Sequence, residues 1–522
     1  MSKKISEISN SFFSYLSQNY PLMSSCDEFY FFPSINKPLN LLNSLETLEK
    51  EKIIQNINDI KALNRHLENI NLKNSSLEEK IDWSLIKESI SGFLREFETR
   101  KIWQKTPSLY LKIAILGIEE ILYYKEFLKK DINCFLISRL RKIPQLLENL
   151  KNNTRRVNST ELQLTLKITN TASYYFKNFP LKKTYLKEIS PLLRKIGEGL
   201  EETKLFLKWL KPSKSLREEF LLEKILKESY SYNKSLEDIF ETALREHKLT
   251  LKEMKKLSKI KLKNTSSLSK FKEKKVNLLN LYQKEVKRLK EFLLKRDIFP
   301  LKREEEVIVK EVPRHLKPLR ASAAYTLWAG IPKKTKGIFY INAEEANYQE
   351  YKFISAHETY PGHHLLDSVR RKLKNPIRSQ IESPLFYEGW ASFSEELIVE
   401  LGYIKNPSQK LIGLRRRAWR AIRALLDVGI RTNKIKLSSI KSMLKNLGYP
   451  EKRIPVMIEH YLLMPGYQLC YTIGKLEFQR LKEKYAHYKG LKKFLEFILN
   501  QGEIPFALLE EKLKEEICPK NS

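Results

Sequence analysis

Apolar residues recur along most of this chain at three- and four-residue spacing, the repeat of one face of an α-helix. Leu45, Leu48, Ile53, Ile54, Ile57, Ile60, Leu63 and Leu67 form the first long stripe. It predicts a helix over 45–67. A wider apolar face predicts a central helix over 109–128, and further helices are expected over 131–151, 160–178, 182–210, 215–230, 234–247 and 266–296. Pro107, Pro180, Pro212 and the Lys151-Asn-Asn153 run fall between them as breaks. Ahead of these, Phe12, Phe13 and Tyr15 suggest a short helix, and Phe29–Pro33 an extended or loop piece.

The period changes near residue 300. Glu306-Val-Ile-Val-Lys-Glu-Val-Pro313 alternates and is β-branched, so it reads as a strand ended by proline. Ala324–Gly330 and Gly337–Asn342 read as two more, which predicts a small three-stranded sheet. Helical periodicity then returns over 347–360, 362–373, 384–402, 408–433, 437–446, 452–462, 466–485, 489–500 and 506–516. The expectation is a mainly α protein with a helical region over 1–300 and a second region over 301–522, the two forming one unit around a central cleft. No repeat of fixed period points to a solenoid.

Composition agrees with this. Among 522 residues only 16 are Gly and 21 Pro, while 42% are hydrophobic and 30% charged, as in a folded helical chain. The formal net charge of +34 would attract anions. Residues 251–275 hold ten lysines against two glutamates, an anion-binding arm or a solvated helix pair. No helix-turn-helix, zinc-finger or aromatic RNA-binding pattern accompanies the charge, so no specific nucleic-acid partner is expected. Cys26, Cys134, Cys470 and Cys518 are scattered, which argues against a disulfide framework or thiolate metal site. Neither a signal peptide nor a membrane span is read, and the expectation is a soluble, cytoplasmic protein.

Three of the eight histidines fall within eight residues, in Ser355-Ala-His-Glu-Thr-Tyr-Pro-Gly-His-His-Leu-Leu366. In zinc hydrolases a helix carries His-Glu-x-x-His, so that both imidazoles reach one ion and the glutamate activates water. Here Pro361 stands in the fifth position. On an unbroken helix His357 and His363 would lie roughly 240° apart, and His357 and His364 about 10 Å apart along the axis. A metal site therefore requires a break at Pro361-Gly362, where proline lacks a donor and glycine frees the backbone. His363 is the preferred second ligand. His364 then touches substrate or supports the ligands, although a merely structural lining of the break is the alternative. Glu388, in Glu388-Gly-Trp-Ala-Ser-Phe-Ser-Glu-Glu396, is the candidate third ligand. Glu395, two turns on, is placed to orient a ligand histidine.

His357-Glu-Thr-Tyr-Pro-Gly-His-His364 resembles the hallmark of the bacterial domain-of-unknown-function 885 family. Glu388-Gly-Trp-Ala391 with Phe393 and Glu395, Tyr340-Ile-Asn342, and Arg423 with Asp427 and Gly429 match its other motifs. His460-Tyr461, Pro465-Gly466 and Tyr471-Thr-Ile-Gly474 resemble a late one. Leu366, Arg431 and Tyr467 stand where the family often has Gln, His and Gln. The resemblance covers roughly 320–510. It implies a gluzincin-like zinc metallopeptidase, in the class of thermolysin and angiotensin-converting enzyme, with residues 301–522 as a zincin-like catalytic region. One Zn²⁺ would be held by His357, His363 and Glu388, with Glu358 as general base, and short peptides as substrate for an oligopeptidase or carboxypeptidase. Tyr471, then Tyr467, are candidate oxyanion donors. Arg420 and Arg423 could clamp a substrate carboxylate or pair between helices. The strand ending at Asn342 could bind substrate backbone. Two other readings stay open: a basic helical binding protein with a vestigial metal site, and a metal hydrolase of a non-peptide amide.

Overall fold

The computed structural model describes residues 3–36, 38–128, 133–179, 186–213, 219–262, 277–320, 323–328 and 336–516. Two compact units are woven from the chain. The first takes Met1–Leu216, Val312–Ala321 and Thr326–Gly337; the second takes Arg217–Glu311, Ser322–Tyr325 and Ile338–Ser522.

The first unit carries α1 (Lys3–Asn19), α2 (Lys50–Glu68), α3 (Leu77–Leu94), α4 (Ile102–Lys105), α5 (Ser108–Leu128), α6 (Asn133–Asn153), α7 (Ser159–Lys177) and α8 (Leu186–Trp209). The stripe read as a helix from Leu45 begins only at Lys50, because Leu48 takes a positive φ of 56°. The periodicity reading passes over α3. A capping box announces that helix: the Ser76 side chain accepts from the Glu79 amide and the Glu79 side chain from the Ser76 amide. Its Phe93 and the following Phe97 stack at 4.7 Å and meet Tyr20 edge-on. Beside this aromatic core Arg139 pairs with Glu120 at 2.7 Å, both fully buried.

The second unit opens with α9 (Glu219–Lys224), α10 (Leu236–Leu262) and α11 (Leu278–Arg296). Helix α10 runs fifteen residues past its expected end at 247, since Thr250, Met254 and Leu257 continue its covered face at helical spacing into the lysine run. The start of the helix expected from 266 lies outside the described residues up to 276. Strands β1 (Val307–Glu311), β2 (Ala323–Thr326) and β3 (Gly337–Ile341) form the three-stranded sheet, in the order β1-β3-β2. Every residue of the central strand β3 is buried, as a strand covered on both faces requires.

Then follow α12 (Tyr351–Glu358), α13 (His363–Arg370), α14 (Pro376–Gln380), α15 (Pro384–Glu400), α16 (Pro407–Arg431), α17 (Leu437–Asn446), α18 (Ile454–Leu462), α19 (Cys470–Leu499) and α20 (Phe506–Glu516). The helices expected over 466–485 and 489–500 form one run, kinked at Gly490 (φ 81°, ψ 160°). Helices α15 and α19 cross backbone to backbone. A Cβ on Gly389 would come within 2.6 Å of Gly474 Cα, and one on Gly474 within 2.0 Å of Leu385 O. Only glycine permits that approach, and it sets Glu388 beside Tyr471.

Candidate metal centre

The break predicted at Pro361-Gly362 is present. Helix α12 ends at Glu358, Thr359 leaves helical geometry (φ −120°, ψ −95°), Tyr360-Pro361 is cis, and α13 starts at His363. The turn is closed by the Gly362 amide, which donates to Ala356 O at 2.9 Å. A side chain at 362 would stand 1.9 Å from His357 O. From α15, the buried Trp390 indole donates to Pro361 O at 2.8 Å and holds the turn from outside.

The turn carries His363 back to His357, their rings 4.7 Å apart and nearly perpendicular. His357 Nε2 lies 3.3 Å and His363 Nε2 3.5 Å from Glu388 Oε2. All three residues are buried, and their ligand atoms lie within 4.8 Å of one another. Nitrogen and oxygen ligands about 2.0–2.2 Å from a tetrahedral zinc ion stand roughly 3.3–3.6 Å apart. The two histidine–glutamate spacings fit that geometry. Glu388 Oε2 is buried and accepts no hydrogen bond, a state costly for a carboxylate unless a cation sits beside it.

Glu395 faces the other nitrogen of His357, with Nδ1 3.1 Å from Oε1. Arg420 Nη2 stands 3.3 Å from the same nitrogen. Both cannot be hydrogen bonds at once, because an Nδ1 that accepts from arginine cannot also donate to the carboxylate. The carboxylate contact is shorter and leaves the Nε2 lone pair facing Glu388, the tautomer a ligand needs. Glu395 is itself fixed by Arg420 (2.9 and 2.5 Å) and by Arg416 (2.9 Å twice). Arg420 is thus committed to an internal ion pair.

Glu358, half-buried beside His357, accepts from the Tyr325 amide of β2 at 2.8 Å. His364 stays apart from the three-residue cluster. Its Nδ1 is 3.3 Å from the Tyr325 hydroxyl and its Nε2 3.8 Å from Glu305 Oε1, and burial pulls its pKa down to about 4. The Tyr467 hydroxyl donates to Glu388 Oε1 at 2.5 Å, so it orients that carboxylate. The Tyr471 ring lies parallel to His357 at 6.2 Å and under the Arg423 guanidinium at 3.8 Å. Arg423 also donates to Gln468 at 2.8 Å. Asn342, buried at the end of β3, accepts from the Glu344 amide and turns the chain. Of the other departures from the family pattern, Leu366 is core, and Arg431 pairs with Asp427 and donates to Leu462 O.

Sequence reasoning missed Tyr325, Tyr387 and Arg416. Tyr387 stacks on His363 at 3.9 Å. Arg416 precedes Arg420 by one turn, a spacing that signals a shared partner. Nothing local marks the two tyrosines.

A mainly helical chain with a small sheet and a buried His-His-Glu cluster is thus defined. It belongs to the family described as bacterial protein of unknown function (DUF885), which it matches over residues 43–513. In structure it is similar to a putative lipoprotein from Colwellia psychrerythraea, with a TM-score of 0.77 at 16% identity over 98% of this chain and 99% of that one. A putative lipoprotein of unknown function from Shewanella oneidensis matches with a TM-score of 0.70 at 18% identity, again over 98% and 99%. No curated protein matches the chain. Among the described residues no helix is long and apolar enough to cross a membrane.

Proposed function

We propose that the protein is a zinc-dependent hydrolase that cleaves peptide bonds of short peptides, with a gluzincin-like site. The observation that carries this reading is the convergence of His357 Nε2 and His363 Nε2 on Glu388 Oε2, with the Glu358 carboxylate adjoining His357 in sequence. His357, His363 and Glu388 would hold the ion. When bound, zinc supplies a Lewis acid that polarises a carbonyl and acidifies water. Glu358 takes the proton of the attacking water and passes it to the leaving amine, as a general base and then acid. The Tyr325 amide holds one oxygen of Glu358 and leaves the other for that proton. Tyr471, which borders both Glu388 and Arg423, is the first candidate donor to the developing oxyanion and Tyr467 the second. His357, His363 and Glu388 are each 4–6% exposed, a depth that favours short, extended substrates over folded ones.

Metal analysis of the purified protein, with a peptide-library digest run beside Glu358→Gln, tests the proposal. The expected result is about one zinc per chain, retained in the variant, with hydrolysis lowered by at least 10²-fold. A metal-free protein, or a Glu358→Gln variant of undiminished activity, would refute it. Metal binding without peptide cleavage by either form would favour the vestigial-site or non-peptide amide readings.

A further inference from the structure

Four arginines of α16 are buried: Arg416, Arg420, Arg423 and Arg431. Three of them are matched by carboxylates, Arg416 by Glu395 and Glu350, Arg420 by Glu395, and Arg431 by Asp427. Arg423 is only 7% exposed, yet it has no carboxylate within ion-pair distance among the described residues. Its guanidinium lies among three aromatic rings instead, 3.8 Å from the centre of Tyr471, 4.7 Å from Trp419 and 4.8 Å from Tyr461. Its Nε donates to Gln468 at 2.8 Å. Rings and a neutral amide attract a cation without neutralising it, whereas a buried charge is ordinarily paired. No carboxylate takes the Nη pair, the edge of the fork that grips an anion through two parallel hydrogen bonds.

This cation stands beside the metal cluster. The Tyr471 ring that meets Arg423 also lies 6.2 Å from the His357 ring, and Arg423 is near enough to Glu388 for the two charges to attract. Measured through Tyr471, the guanidinium is no farther from the His357 ring than roughly three extended residues span. A peptide with its scissile carbonyl at the cluster therefore brings the first or second residue after that bond to Arg423. Arg420, one turn earlier, is not equivalent, because Glu395 already fills its fork.

We propose that Arg423 is the specificity residue of this site and receives a substrate carboxylate carried one or two residues beyond the scissile bond. The carboxylate is either the C-terminus of the peptide or an acidic side chain. The inference rests on the peptidase reading for the place of the scissile bond, and narrows the substrate to peptides with an anion just after it. With the C-terminus as the source, the reaction removes one or two residues from that end.

Calorimetry on zinc-loaded Glu358→Gln, which should hold peptides without cutting them, reads the binding. The probes are acetyl-phenylalanyl-leucyl-alanine with a free carboxylate, its C-terminal amide, and that amide with glutamate in place of leucine. The free acid should bind about 10- to 100-fold more tightly than the amide; the same gain in the glutamate amide instead would assign the anion to a side chain. Adding Arg423→Gln should erase the preference. Equal binding of all three probes, binding of none, or a preference that survives Arg423→Gln would overturn the proposal. The probe comparison needs no change at Arg423, so it decides the matter even if Arg423→Gln fails to fold. Hydrolysis by the parent protein separates this inference from the peptidase reading. Cleavage of acid and both amides at equal kcat/KM would overturn the role of Arg423 and leave the peptidase reading standing. Carboxylate-dependent binding at Arg423 without cleavage would refute the peptidase reading and leave the anion site standing.

Discussion

Gly362→Ala is the most searching single substitution, because one added carbon attacks the feature on which the His-His-Glu cluster depends. A Cβ at 362 would stand 1.9 Å from His357 O, 2.4 Å from Ala356 O and 2.5 Å from His357 C. These neighbours are backbone atoms at the end of α12, not flexible side-chain ends. Ordinary carbon–oxygen contact needs roughly 3.2 Å or more, so the turn must open by about 1 Å. The Gly362 amide bond to Ala356 O would stretch, and His363, the next residue, would be carried with it. Overpacking of this kind costs roughly 1–3 kcal/mol, and loss of the buried hydrogen bond about 1 more. Metal ligation tolerates errors of only about 0.2 Å, so affinity for zinc should fall by at least 100-fold, or about 2.7 kcal/mol. Calorimetric zinc titration and urea unfolding, run beside Gly197→Ala, give the comparison. Gly197 lies in α8, where an added Cβ would meet nothing within 4 Å, and its replacement should be neutral or stabilising by up to about 1 kcal/mol. Zinc affinity within threefold of the parent in Gly362→Ala would refute the reasoning.

Tyr467→Phe removes the donor to Glu388 Oε1 and should weaken zinc binding about 10- to 100-fold, with folding little changed, as read by the same titration. Arg370, fully buried, meets Asp367 at 2.7 Å, Glu382 at 2.5 Å and Glu503 at 3.2 Å. Arg370→Ala would strand these carboxylates and should cost roughly 3–5 kcal/mol in urea unfolding. Burial pushes the Glu246 carboxyl up, but Arg417 and Lys475 outweigh this and hold it at about 2, against an ordinary value of 4.5. A folded pKa below the unfolded one gives stability present above pH 4.5 and lost as pH falls toward 2. At about 1.36 kcal/mol per pH unit this amounts to roughly 3 kcal/mol. Glu246→Gln should therefore flatten the acid limb of stability between about pH 4.5 and pH 2 in urea unfolding, whereas an unchanged limb would assign the effect elsewhere.

The helical class and the three strands were legible because apolar spacing reports which face of an element is covered. Where the reading failed, a second signal overlay the first. The ten lysines of 251–275 hid the stripe that carries α10 to Leu262, since solvated lysines can flank an apolar row without breaking it. Helix α3 was equally legible, since Ile81, Leu85, Ile86, Ile90 and Phe93 keep helical spacing behind the Ser76–Glu79 capping box. The gap expected between 485 and 489 is helical and the interruption falls at Gly490 as a kink, because glycine supplies the unusual φ without stopping the helices on either side.

The His-His-Glu cluster shows the same division more sharply. His357 and His363 could be paired from sequence because an unbroken helix brings neither His363 nor His364 to His357 and Pro361-Gly362 supplies the break, while Glu388 was a candidate from its own later motif. Tyr387 and Tyr325 could not be found, because their places depend on how α15 and β2 approach α13 and α12. That approach rests partly on Gly389 against Gly474, a contact between residues 85 positions apart. Tyr467 belongs with them. It stands where the family often has glutamine, yet its hydroxyl reaches the ligand carboxylate at 2.5 Å. A glutamine amide can also donate to a carboxylate, so the exchange preserves the hydrogen bond while changing the bulk beside the cluster. On this argument the departure at 467 bears first on what fits next to Glu388, and only secondarily on whether a metal is held.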